Sequence, residues 1–222
     1  MRELIVRWQR GWAVARALPT ATDVGPGLRV RCLQPGRAVE YVALDRDPAS
    51  LRDLAALVAR EAEPTWLTVP TTDPAATATE LEAAGLVLLK RAELLMTTDL
   101  RTHPAPPPAA GYRLATAVAP DTDPGTVTVT VLAASGEVGA RGTMGLTGTD
   151  AVADRIETRP AHRRRGLAST LMGALATAAV AAGGTDGILI ASEEGQPLYA
   201  KLGWRPAADV LIATTPGNTY PT

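Results

Sequence analysis

Residues 159–170 read Arg-Pro-Ala-His-Arg-Arg-Arg-Gly-Leu-Ala-Ser-Thr. They stand between a strand-like segment, 152–158, and an Ala-rich helical segment, 167–182. Three guanidiniums, Arg163, Arg164 and Arg165, therefore fall on a strand-to-helix turn, with Gly166 where the helix begins. A helix N-terminus carries unpaired N–H groups and a partial positive charge, so it attracts phosphate. Glycine has no Cβ and lets a ligand approach the backbone closely. The chemistry this pattern could do is to hold a pyrophosphate. Two plainer readings compete: a solvated basic surface and a nucleic-acid patch. With 22 Lys plus Arg against 23 Asp plus Glu, and no second basic cluster with interleaved aromatics, nucleic-acid binding is disfavoured as the main role. No G-x-x-x-x-G-K-[ST] pattern is present, so the turn is not a Walker loop.

The elements around the turn narrow the choice. Before it, 126–133 and 137–146 read as strands joined by the hairpin signal Ala134-Ser135-Gly136. After the helix come an apolar strand over 187–192 and the loop Glu193-Glu194-Gly195-Gln196-Pro197. A short helix over 198–203 and a strand over 210–214 follow. The order and motifs resemble the GNAT superfamily of acyl-CoA-dependent N-acyltransferases over roughly residues 111–214. The family's pyrophosphate-loop pattern is Gln or Arg, two residues of any kind, Gly, any residue, then Gly or Ala. Here it reads Arg163-Arg164-Arg165-Gly166-Leu167-Ala168. Its late signature, Tyr followed by Leu-Gly and an aromatic, reads Tyr199-Ala200-Lys201-Leu202-Gly203-Trp204.

The resemblance implies direct acyl transfer from acetyl-CoA to an amine. Backbone groups at Ile156 and Thr158 would hold the pantetheine arm. N–H groups over Arg163, Arg164, Arg165, Gly166, Leu167, Ala168 and Ser169 would hold the pyrophosphate, the arginines adding charge-assisted contacts. Tyr199 stands where the family places its general acid; the alternative is a tyrosine that only packs near the thiol. For the base, Glu157 is preferred over Glu193 and Glu194, each of which could equally be a solvated carboxylate. The acceptor would be a primary amine of a small molecule or peptide. A non-catalytic acyl-CoA-binding regulatory protein is the other reading.

The first half repeats the order of the second. A helix over 2–17 carries Leu4, Trp8, Trp12 and Ala15 at helical spacing. Aromatics four apart on an apolar stripe read as core. Strands follow at 28–33 and 38–44, a helix at 50–62, a strand at 66–69, a helix at 75–84, and strand-like runs at 86–89 and 92–97. The Pro-rich stretch 102–110 separates this half, 1–101, from the catalytic half, 111–222. Setting Pro48 against Pro160, an offset of 112, places Leu51, Arg52 and Asp53 opposite the three arginines and Leu54 opposite Gly166. An acidic residue there would repel a pyrophosphate. The first half is thus read as a duplicate that kept the scaffold and lost the cofactor site. The expected fold is α/β, with a mixed, mostly antiparallel central sheet flanked by helices.

One departure from the family concerns the acceptor wall. Only residues 119–125 separate the strand at 112–118 from the next, which leaves no room for the two helices that usually wall the pocket. The wall could come from the 2–17 helix or from a second subunit in a homodimer. Composition excludes other classes. The chain has 222 residues, 46% hydrophobic and 20% charged, as soluble globular proteins do. No apolar run is long enough to span a membrane, so a cytoplasmic protein without membrane or nucleic-acid partners is expected. One cysteine, Cys32, rules out an internal disulfide and reads as a small buried residue. With only His103 and His162 beside it, no metal site is expected, nor a Ser-His-Asp triad.

Overall fold

The computed structural model describes residues 1–119 and 125–218. Helix α1 (Arg2–Arg16) comes first, then β1 (Thr22–Asp23), β2 (Gly27–Gln34) and β3 (Arg37–Ala43). The unit α2 (Pro48–Arg60), β4 (Thr65–Thr71), α3 (Pro74–Ala83) and β5 (Val87–Asp99) completes the first half. The second half runs β6 (Tyr112–Ala119), β7 (Gly125–Ala133), β8 (Val138–Thr147), β9 (Asp150–Thr158), α4 (Leu167–Ala181), β10 (Asp186–Ala191), α5 (Gln196–Lys201) and β11 (Arg205–Thr214). These elements fall where composition and periodicity place them, within a few residues. The exceptions are β1, which was not expected, β11, which starts five residues before the expected 210, and β5, where the two runs expected at 86–89 and 92–97 are one strand of 13 residues. Helices α2 and α3 start with Pro in the first turn, and each is capped by an Asp side chain, Asp47 on Ala49 N and Asp73 on Ala76 N.

The eleven strands among the described residues form one sheet, in the order β1-β2-β3-β4-β11-β5-β10-β9-β8-β7-β6. Among the described residues only β3/β4 and β9/β10 pair in parallel; the other pairs are antiparallel, as expected for this fold class. The two halves exchange their last strands. β11 lies between β4 and β5 of the first half, and β5 pairs with β10 of the second. The stretch that separates the halves in sequence therefore does not separate the sheet. Its residues 103–109 have no regular structure and lie along α4, where Thr170 Oγ1 donates to the Pro107 carbonyl at 3.2 Å.

Alternation assigns each strand's two faces. On β11, Val210 and Ile212 face α1, while Leu211 and Ala213 join the core under α2 and α3. On β9 and β10, Val152 and Ile188 face α1, while Ala151, Ala153, Leu189 and Ala191 pack with α4. One sheet face thus carries α2, α3 and α4. The other carries α1, which spans strands of both halves through Ile5, Trp8 and Trp12.

Two arginines bind α1 along β9. Arg7 donates from Nε to both Asp150 oxygens at 3.0 Å, and Arg16 to Asp154 at 2.7 and 3.1 Å. Nine helical residues rise about 13.5 Å at 1.5 Å each. Four strand residues cover about 13 Å at 3.3 Å each. The two ion pairs are therefore in register. Between them the helix comes into backbone contact with the sheet: a Cβ built on Gly11 would strike Val152, and one on Gly145 would strike the Gly11 carbonyl and come within 2.6 Å of Ala15 N. Gly145→Ala should accordingly lower stability by about 1–3 kcal/mol, the usual cost of overpacking. In a chain of this size that is roughly 2–4 °C of melting temperature per kcal/mol in a thermal denaturation scan.

Candidate active site

Strands β9 and β10 pair only from Asp150/Asp186 to Val152/Ile188 and then diverge. The divergence opens a cleft lined by Ile156, Glu157, Thr158, Arg163, Arg164, Gly166, Leu167, Ala168, Ser169, Ser192, Glu194 and Tyr199, among others, with a volume of about 560 Å³. Eight of the nine residues expected to bind the cofactor thus share one cleft. Arg165 is the exception. Its guanidinium turns away and donates to Tyr112 Oη at 3.2 Å, in a cluster where Tyr112 also bonds His162 Nδ1 at 2.9 Å. His162 is buried and serves this cluster.

At the floor of the cleft, Gly166 caps α4 with φ 75, and a Cβ there would have nothing within 4 Å. Arg164 is also left-handed, at φ 61. Left-handed residues in a turn point successive N–H groups into one concavity, which suits an anion. The first intrahelical bond in the region runs from Thr170 N to Gly166 O, so the N–H groups of Leu167, Ala168 and Ser169 have no partner within the helix. Arg163 is partly engaged, with Nε on the Thr158 carbonyl at 3.3 Å and Nη1 3.7 Å from Glu194. Arg164 makes no hydrogen bond or ion pair with any described residue, which leaves its fork to a ligand. Donors, charge and open space fit the pyrophosphate of a CoA thioester.

The first half has no such turn. Its α2 starts at Pro48, five residues after the end of β3 at Ala43, with Asp47 closing its N-terminus. The one-to-one correspondence expected at an offset of 112 does not hold: Leu51 and Leu54 are buried on α2's inner face, not on a loop. The first half differs by a shortened loop and a carboxylate cap, rather than by substitutions within an equal loop.

Tyr199 is buried on α5, with its ring against Trp204 at 6.1 Å. Burial, helped by the Asp154 charge, pushes its phenol up to about 12. No described residue hydrogen-bonds its hydroxyl. Gln196 ties α5 to β5 by donating to the Ala92 carbonyl. Glu157 lines the outer cleft, but its carboxylate is held by Arg141 at 2.9 Å and lies 3.8 Å from Arg159.

On the α1 face of the sheet a second cavity, about 360 Å³, meets the first. Ile156, Ser192 and Tyr199 line both. Its other walls include Trp8, Trp12, Trp66, Arg16, Arg37, Glu40, Glu93 and Asp154. Trp8 and Trp12 are core residues, as their spacing predicts, stacked at 5.4 Å and 14°, and they also line this cavity. Arg37 lies over Trp66 at 4.8 Å and over Trp12 at 5.6 Å, 3.1 Å from buried Glu40. Glu40 also accepts from Thr68 at 2.6 Å. Opposite Gly142 of β8, two β9 residues, Arg155 and Ile156, replace one, and Arg155 sits at φ 54. Such a bulge re-aims backbone groups, and here it does so where the two cavities meet.

Glu40, Glu93 and Asp154 escaped sequence reading. The available signal was a carboxylate inside an apolar strand, as in Ala38-Val39-Glu40-Tyr41-Val42. Helix α1 of the same chain lines this second cavity through Trp8, Trp12 and Arg16. Of the segment 119–125, whose shortness raised the question, residues 120–124 lie outside the described residues. Cys32 is buried, its thiol pushed up to about 12 mainly by burial, as expected of an inert core residue. Among the described residues no group of three or more His, Cys, Asp or Glu side chains is placed to hold a metal. No helix among them is long and apolar enough to cross a membrane.

Residues 125–206 match the model of the Acetyltransferase (GNAT) domain family. No curated protein sequence matches the chain. Among solved structures, a GCN5-related N-acetyltransferase from Kribbella flavida superposes with a TM-score of 0.71 at 18% identity, covering 97% of this chain and 95% of its own. A tandem GNAT protein from the clavulanic acid biosynthesis pathway gives 0.59 at 16% identity, covering 86% and 80%. A GCN5-related N-acetyltransferase from Sphaerobacter thermophilus gives 0.59 at 14%, covering 85% and 76%. The family match thus falls within the second half, over residues 125–206, and the chain as a whole shares the fold of these structures, a tandem GNAT protein among them. Family and fold together support acyl-transfer catalysis.

Proposed function

We propose that the protein is an acetyl-CoA-dependent N-acetyltransferase that acts by direct attack of a primary amine, carried on a small molecule or a peptide. The observation that carries this reading is the meeting of the two cavities at Tyr199. The β9/β10 cleft takes the pantetheine arm along Ile156 and Thr158 and the pyrophosphate at the start of α4. The α1-side cavity then presents the amine to the thioester carbonyl from the other side. Backbone N–H groups at the Arg155–Ile156 bulge are suited to receive the developing oxyanion. Tyr199, neutral at physiological pH, returns a proton to the departing thiolate.

Calorimetry with acetyl-CoA tests the donor site. Micromolar to submillimolar binding and a raised melting temperature are expected, since a ligand of the native state stabilises it. Arg164→Ala should weaken binding by about ten- to a hundredfold, the effect of one charge-assisted contact of roughly 1.5–3 kcal/mol. Arg52→Ala on α2 should leave it unchanged. Equal effects from the two would place the cofactor in the wrong half, and no binding at millimolar acetyl-CoA would refute the donor.

A further inference from the structure

We propose that Glu93, on the last strand of the first half, is the group that binds the acceptor's ammonium and takes its proton. This rests on the reading of the α1-side cavity as the acceptor site. Glu93 shares a strand face with Leu95, two residues on, which packs under α1, so its carboxylate is directed to the same side of the sheet as that cavity, which it lines. Leu94 pairs with Ala191 of β10, so Glu93 stands across from Ser192, the residue where the cavity joins the donor cleft. Strand exchange puts it there: β5 belongs to the first half in sequence and borders β10 in space.

The other carboxylates of the cavity are committed. Asp154 holds Arg16 through two bonds, and Glu40 holds Arg37 and Thr68. Neither arginine makes an ion pair with Glu93. Burial raises the Glu93 carboxyl above the usual range; Glu40 across the cavity adds to this, and Lys90 along the strand and Arg37 oppose it. Arg16 from α1, Asp154 and Arg155 from β9, and Tyr199 from α5 are the other charged or titratable groups on these walls. A carboxylate drawn out of water gains from an arriving cation. A raised carboxyl is also a better proton acceptor near neutrality than an exposed one.

An alkylammonium has a pKa of about 10.4 and cannot attack until it loses a proton. Glu93 takes that proton, and the freed nitrogen lone pair forms the C–N bond at the thioester carbonyl. The C–S bond then breaks, and the thiolate takes the Tyr199 proton. The second nitrogen proton replaces it on Tyr199, and the proton on Glu93 leaves to solvent. The net result is amide, thiol and one released proton.

The test needs no knowledge of the natural acceptor. Three of the four tryptophans line the cavity, so intrinsic fluorescence reports its occupancy. Two bodies, 2-phenylethyl and 4-hydroxybutyl, are each titrated with an ammonium, a hydroxyl or a carboxylate head. The ammonium of at least one body should bind about ten- to a hundredfold tighter than its hydroxyl partner, the factor one charge-assisted hydrogen bond carries. Glu93→Gln should erase that preference without lowering the melting temperature by more than a few degrees. Equal binding of the three heads, tighter binding of the carboxylate, no ammonium binding with either body, or a preference that survives in Glu93→Gln would each overturn the assignment. Acetyl-CoA is absent from these titrations. An error in the donor reading would therefore show in the calorimetry with head-group selectivity intact, whereas an error about Glu93 would leave acetyl-CoA binding intact.

Discussion

Tyr199→Phe is expected to lower kcat by about 10²–10⁴-fold, the usual worth of one acid–base group, while leaving the KM for acetyl-CoA nearly unchanged. The substitution is clean because the ring, not the hydroxyl, does the packing. The ring contacts Trp204 and closes over Gly195, and the hydroxyl has no described partner. Burial keeps the phenol protonated, with its value pushed up to about 12. Loss of activity from Tyr199 ionisation should therefore not appear between pH 7 and about 10, where an unperturbed phenol begins to ionise. Stopped-flow measurement of thiol release with a working acceptor reads the effect directly. A Phe variant with normal turnover would make Tyr199 a packing residue only. Parallel loss of turnover and acetyl-CoA affinity would mean that the donor had shifted.

Gly166→Val should abolish measurable acetyl-CoA binding at concentrations that saturate the unaltered protein. Gly166 caps α4 with φ 75, a conformation that costs L-residues about 1–2 kcal/mol and is a genuine outlier for a β-branched one. The turn would relax to negative φ and turn the Leu167 and Ala168 N–H groups away from the phosphate position. The branched side chain would also fill the space above the turn, which is open to 4 Å. Gly166→Asn separates these causes. Asparagine tolerates the left-handed region but brings a Cβ. If it retains most of the affinity, backbone conformation is the requirement; if it fails as Val does, close approach is. Calorimetry distinguishes the two.

Most of the β9/β10 cleft was legible because its lining is local. Arg163, Arg164, Gly166, Leu167, Ala168 and Ser169 are consecutive or nearly so, and one strand-to-helix turn fixes all their directions. Tyr199 was legible through its place before Leu202-Gly203-Trp204. Arg165 was not, because its direction depends on Tyr112, 53 residues away. The α1-side cavity was illegible for the same reason on a larger scale. Its walls come from α1, β3, β4, β5, β9, β10, α5 and β11, and no short window of sequence contains two facing walls. Glu157 illustrates the limit of alternation. Its distance along β9 is right, but the bulge at Arg155 and the Arg141 partner decide where its charge goes.

The exchanged strands also set how the chain must be assembled. During synthesis β4 emerges with the edge that β11 will later occupy, and its final partner is the last strand to be made. Thr214 Oγ1 finally bonds the Thr65 carbonyl at 2.7 Å, across 149 residues of sequence. Contacts of such separation slow folding and prolong the exposure of an unpaired edge. A nascent chain halted between the halves would present an apolar strand with free backbone groups, the feature that invites association with another copy. In a finished chain the same exchange ties the fate of the halves together. Proteolytic cutting in residues 102–110 would leave two fragments each closing the other's sheet, and they should stay together and active until diluted or denatured.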